Sequence, residues 1–257
     1  MYSRDTLVSP LVVIVALLVF AVSVQADQAD LDAEIERYAK VFSGKSYSAK
    51  KQALDALAWA GISDPRVYDP IEAELLAGYR TTDADKANIE ELSWLAKGGL
   101  GVSGNTKYIA TLEKVQTSTP SKKLAKHVTT GLERIPKYAI WNPIISANLE
   151  QAPSGRLGQS RTINLLASDI PELFRAGAKI TRQYYSSDEE VLAAVNASLL
   201  ANYKRNLSNK AQVDGVSHLI RTLGEAGNTS YRPTLDKVAR SDNKKIAKYA
   251  KKYAGYL

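Results

Sequence analysis

The chain contains no cysteine, two histidines and one methionine in 257 residues. Without cysteine there is no disulfide framework, no thiol nucleophile, no cysteine-based metal site and no lipid attachment through sulfur. Such a chain must be stabilised by core burial alone. His127 and His218 are far apart in sequence and neither sits in H-E-x-x-H or H-x-E spacing, so no metal ligand set is expected. Ser103 lies in Val-Ser-Gly rather than in a G-x-S-x-G elbow. Strict period-two alternation bounded by hairpin turns is missing, which argues against a β-fold. No long linker divides the chain.

What is present begins with an apolar run, Leu11 to Val22, after a start carrying Arg4. Ser23-Val24-Gln25-Ala26 follows, with short residues at the −3 and −1 positions before Asp27. This layout predicts a secretory signal peptide over residues 1–26, cleaved after Ala26, and a single mature domain over residues 27–257. The alternative is a retained N-terminal membrane anchor, but the run is shorter than the roughly 20 residues a bilayer span requires. A periplasmic or secreted location is the expectation, which disfavours a nucleic-acid partner.

Charge is unevenly distributed. Residues 27–91 carry 14 acidic and 8 basic side chains, whereas residues 204–257 carry 12 basic and 4 acidic. The formal net charge is +7. An acidic front and a basic tail suit contact with an acidic protein, an anionic membrane or a polyanion.

Helical spacing recurs along the chain. Ala53, Leu54, Leu57 and Ala60 share one face, as do Ile89, Leu92 and Leu95, and later Val191, Leu192, Val195 and Leu199. Thr119 before Pro120, and Ser187 with Glu190, read as helix starts. Gly104 to Ser118 (GNTKYIATLEKVQTS) matches Gly227 to Ser241 (GNTSYRPTLDKVARS) at nine of fifteen positions. Gly61, Gly101 and Gly224 each precede a tyrosine (Tyr68, Tyr108, Tyr231) by seven residues. A unit of roughly 40 residues, made of two helices and a Gly/Asn turn, is the pattern of an α-solenoid.

Residues 53–71 (ALDALAWAGISDPRVYDPI) resemble HEAT repeats, especially the short kind found in bilin-lyase-like proteins. Residues 213–240 look similar, and the likeness is loose between about 137 and 205, where Pro143, Pro153 and Pro171 imply interrupted repeats. The resemblance implies an all-α, HEAT-like solenoid of stacked antiparallel helix pairs with a concave groove. It implies little about chemistry.

Against that architecture, the G-x-G-x-x-G match at Gly99, Gly101 and Gly104 has no buried strand before it and no βαβ unit after it. It reads as a corner between helices, with extra glycines making a longer, mobile loop. Glu72, Glu74, Glu90 and Glu91 read as solvated helix faces.

The expected function is a non-catalytic protein-interaction scaffold with no cofactor and no metal. An acidic partner would lie in a groove lined by the second helix of each repeat. Lys107, Tyr108, Lys114, Tyr231, Arg232 and Lys237 are the candidate contacts, and charge reversal at Lys114 and Lys237 should weaken binding. In the last helix, Lys244, Lys245, Lys248, Lys251 and Lys252 surround a stripe of Ile246, Tyr249, Ala250, Tyr253 and Leu257. That pattern suits a capping helix, or a basic amphipathic helix lying on an anionic membrane or envelope polyanion. The rival from another class is a helical-repeat lyase or carbohydrate-active enzyme, which would need a concave pocket with converging carboxylates or a perturbed histidine.

Overall fold

The computed structural model describes residues 30–257. The expected signal peptide lies outside the described residues. Among the described residues there are twelve α-helices and no strand. They are α1 (residues 30–43), α2 (Tyr47–Leu57), α3 (Pro65–Gly78), α4 (Lys86–Trp94), α5 (Ile109–Ser118) and α6 (Lys122–Ile145). Then follow α7 (Leu157–Ala167), α8 (Pro171–Tyr184), α9 (Glu189–Asn202), α10 (Lys210–Glu225), α11 (Arg232–Val238) and α12 (Lys244–Ala254).

Short polar side chains start most of these helices by accepting from orphan backbone N–H groups. Asp64 caps α3, Asp85 caps α4, and Asn209 and Asn243 cap α10 and α12. Two expected starts shift slightly. α6 is capped by Ser121, whose Oγ accepts from Leu124 N at 3.0 Å, rather than starting at Thr119-Pro120. α9 is capped by Asp188 rather than Ser187, with Oδ1 accepting from Val191 N at 3.0 Å. The expected interruption at Pro143 is also corrected, since α6 runs through both Pro136 and Pro143 to Ile145. Both prolines face solvent.

The helices associate with next-but-one neighbours. α4 packs on α6, α8 on α10 and α10 on α12, while α3 meets α5 and α7 meets α9. The buried side chains form two clusters. Tyr68, Tyr108, Leu112, Val128 and Ile135 belong to the first, and Phe174, Val195, Leu219, Leu223 and Ile246 to the second. The clusters meet along α7 and α8, where Leu165 and Leu173 belong to the first and the adjacent Leu166 and Phe174 to the second. Each fully buried aliphatic side chain contributes about 1.5–3 kcal/mol, so these stripes rather than helix propensity hold the layers together.

The glycine string overturns the mobile-loop expectation. Residues 98–103 are all buried, forming a π turn over Leu95–Gly99 and a 3-10 turn over Leu100–Val102. The glycines serve close packing. A Cβ on Gly101 would sit 2.8 Å from Gly131 Cα, and one on Gly131 would sit 2.7 Å from Ala96 O. Here α6 crosses the 95–102 segment at backbone contact. Gly61 (φ +67°), Gly104 (φ +64°) and Gly227 (φ +71°) hold left-handed corners, as do Asn148, Gly155 and Asn206. Of the three glycines aligned by their tyrosines, only Gly61 holds that conformation.

Candidate binding groove

A cavity of about 960 Å³ is lined by side chains of α6, α7 and α8, with further residues from α1 and α2. Helical periodicity explains which side chains reach it. From α6 come Arg134, Lys137, Tyr138 and Trp141, and from α7 Gly158, Arg161, Thr162 and Leu165. α8 contributes Glu172, Arg175, Lys179, Ile180 and Gln183, each set at the three- and four-residue steps that share one helix face. Gln52, Asp55 and Ala56 of α2, Trp59 just beyond it, and Glu34, Arg37 and Tyr38 of α1 complete the end wall.

Two features dominate. The first is aromatic. Trp59 and Trp141 stack with centroids 6.1 Å apart and planes at 20°, and Tyr138 tilts against Trp141 at 5.2 Å. Lys137 Nζ lies 4.1 Å from the Trp141 ring centroid, a cation–π contact. The second is charge: Arg37, Arg134, Lys137, Arg161, Arg175 and Lys179 face the cavity against Glu34, Asp55 and Glu172. Arg161 is nine-tenths buried and pairs with Glu34 at 2.6 Å, and Arg175 pairs outward with Asp214 at 2.5 Å. Arg134 donates to Lys97 O and to Tyr138 Oη. Lys137 and Lys179 form no salt bridge among the described residues. The groove therefore holds surplus positive charge beside an apolar floor.

The expected contact residues sit elsewhere. None of Lys107, Tyr108, Lys114, Tyr231, Arg232 and Lys237 lines this cavity. Tyr108 is a correction, because it is fully buried and donates its hydroxyl to Asp69 Oδ1 at 2.7 Å. Burial and that carboxylate push its pKa up. Lys107 is exposed and pairs with Asp69 at 2.7 Å. Lys114, Arg232 and Lys237 are exposed and Tyr231 half-buried. Groove side chains come from α1, α2, α6, α7 and α8.

On α12, Ile246, Ala250 and Tyr253 are buried against α10 and α11, while Lys244, Lys245, Lys248, Lys251 and Lys252 are exposed. The apolar stripe is thus covered by the protein, leaving a basic outer surface. No helix among the described residues is long and apolar enough to cross a membrane.

Sequence reasoning missed Lys50. It lies four residues before Leu54 on the core face of α2, is buried, and reaches Glu74 of α3 at 2.5 Å and Glu91 of α4 at 3.1 Å. Burial opposes the ammonium charge, but the two carboxylates outweigh it and raise its pKa. Burial also raises the Glu74 pKa despite Lys50, with Glu91 adding repulsion. Glu74 and Glu91 are therefore not simply solvated faces; the signal was a lysine in an apolar stripe.

The histidines stand in separate settings. Burial, then Lys97, Lys123 and Lys126, depress the His127 pKa, while burial followed by Arg175 depresses that of His218. Among the described residues no three His, Asp or Glu side chains converge as a metal site. No protein-family model, curated protein or solved structure matches this chain, so the functional reading rests on its own geometry.

Proposed function

We propose that the protein is an exported HEAT-like α-solenoid acting as a non-catalytic binding module for an acidic protein partner. The next-but-one packing of helices supports the solenoid reading, as does the corner geometry shared by Gly61, Gly104 and Gly227. The observation that carries the binding reading is the groove between α6 and α8, where six cations and three carboxylates surround a stacked indole pair. On this reading the partner lies against α6 and α8 rather than on the residues around Lys114 and Lys237. A volume of about 960 Å³ is at the top of the range for small-ligand pockets, and an aromatic centre with a charged rim resembles a protein-binding patch.

Titration with poly-L-glutamate, followed by tryptophan fluorescence, tests the reading. Binding should weaken as salt rises, because rim charges are screened within about 8–10 Å. The double reversal Lys137→Glu/Lys179→Glu should raise Kd tenfold or more, whereas Lys114→Glu/Lys237→Glu should leave it unchanged. Equal losses in both variants, or affinity indifferent to salt, would remove the groove from the account.

A further inference from the structure

The shape of the groove narrows the partner further. Its lining comes from helices alone, so it presents rows of side chains instead of a sheet edge. Small residues line it: Ala56 of α2, Ala176 of α8, and Gly158 of α7, whose missing side chain makes room for Tyr185 Oη. The half-buried Ile180 and Trp59 make the inside apolar, backed by the buried Trp141 and Leu165. The cavity volume equals about 12 Å of a cylinder 10 Å across, which is about eight helical residues or a little over two turns.

Both walls carry exposed apolar side chains beside the cations. Ile140 on α6 is 62% exposed and Tyr184 on α8 is 67% exposed. Tyr184 itself borders the cavity. At 100° per residue, Ile140 projects about 60° from Lys137 and about 100° from Trp141, so it forms the rim next to the lining face. Pro136 and Pro143 flank it on the same exposed strip. The surface offered is therefore an apolar floor, an apolar outer lip, and lysines without carboxylate partners between them.

We infer that the occupant of this groove is an acidic amphipathic helix of the partner protein. The inference rests on the acidic-partner reading above and adds the partner's conformation. The helix sets its apolar stripe on Ile180 and Trp59, and its flanking carboxylates on Lys137 and Lys179. Rows of side chains three and four apart interdigitate with such a helix, whereas an extended strand would find no backbone edge to pair with.

Three probes separate the possibilities: a peptide of about 18 residues with leucines at helical spacing and glutamates elsewhere, a scrambled peptide of the same composition, and polygalacturonate. The length is set by the marginal stability of isolated shorter helices. The amphipathic peptide should bind tightest and gain helical circular dichroism on binding. Lys137→Glu/Lys179→Glu should raise its Kd tenfold or more, and Ile140→Asp/Tyr184→Asp fivefold or more. All four substituted side chains are exposed, so the fold should survive. Equal binding of the scrambled peptide without helicity gain overturns the helix inference and leaves the acidic-partner reading standing. Binding of polygalacturonate alone, or of no probe, overturns both.

Discussion

Replacing Lys50 by methionine should be among the most damaging single changes in the molecule, through charge more than volume. Lys50 Nζ sits 2.5 Å from Glu74 and 3.1 Å from Glu91, and its side chain is 4% exposed. At an effective dielectric near 20, a pair at 4 Å is worth about 4 kcal/mol. Removing one partner of a buried pair typically costs about 3–5 kcal/mol because the other charge is left uncompensated. Here the carboxylates are 30% and 24% exposed, so water recovers part of the loss. We therefore expect about 3 kcal/mol at pH 7, or a Tm drop of about 6–12 °C for a domain of this size.

The triple variant Lys50→Met/Glu74→Gln/Glu91→Gln should regain most of that stability, since it removes the buried charges together. pH supplies a second check. The Lys50 pKa is raised in the folded state, so its stabilisation is full below the ordinary value of 10.5 and is lost as pH rises through the folded value. Glu74 is raised above 4.5, so stability grows as pH falls through its folded value towards 4.5. In Lys50→Met the alkaline loss from this lysine should vanish and the acid-side gain should widen. Urea denaturation followed by circular dichroism from pH 4 to well above 10.5 measures both. A deficit below about 1 kcal/mol at pH 7, or one constant from pH 7 to 4, would refute the reasoning.

The corner glycines allow a paired comparison. Gly227→Ala should cost about 1–2 kcal/mol from the left-handed conformation alone, since a Cβ there meets nothing within 4 Å. Gly104→Ala should cost a further 1–3 kcal/mol or so, because its Cβ would lie 2.7 Å from Tyr138 O on α6; equal melting shifts would disprove that clash. Asn142 Nδ2 is within 3.2 Å of Ile62 O, Val102 O and Ser103 O, joining two corners. Asn142→Leu should cost about 3 kcal/mol by orphaning buried carbonyls, and should speed amide exchange at 61–63 and 102–105 before elsewhere. Because the apolar stripe of α12 is covered, any association with anionic vesicles should be peripheral. Cosedimentation should disappear near 0.5 M salt, where the Debye length falls below about 5 Å, and salt-resistant binding would count against it.

Helix content was legible because capping and periodicity act within a few residues. The Asn105 and Asn228 caps after Gly104 and Gly227 mark homologous corners, and the apolar stripes of α9 and α12 name their buried faces directly. Pro143 misled because a proline breaks a helix only when the lost N–H and the crowded carbonyl cannot be accommodated, and on the solvent side of α6 they are. Tyr108 misled because a tyrosine beside lysines looks like a surface contact until Asp69 of another helix takes its hydroxyl.

Sequence alone determined an all-helical chain, its repeated corners and its uneven charge, all of which follow from local spacing and composition. The tertiary structure decided the rest. It brought Gly101 against Gly131, placed Lys50 between two carboxylates, and put the groove among α2, α6, α7 and α8, away from Lys114 and Lys237. Each depends on which helix faces which across tens of residues, and amphipathic stripes of similar composition do not encode that choice locally.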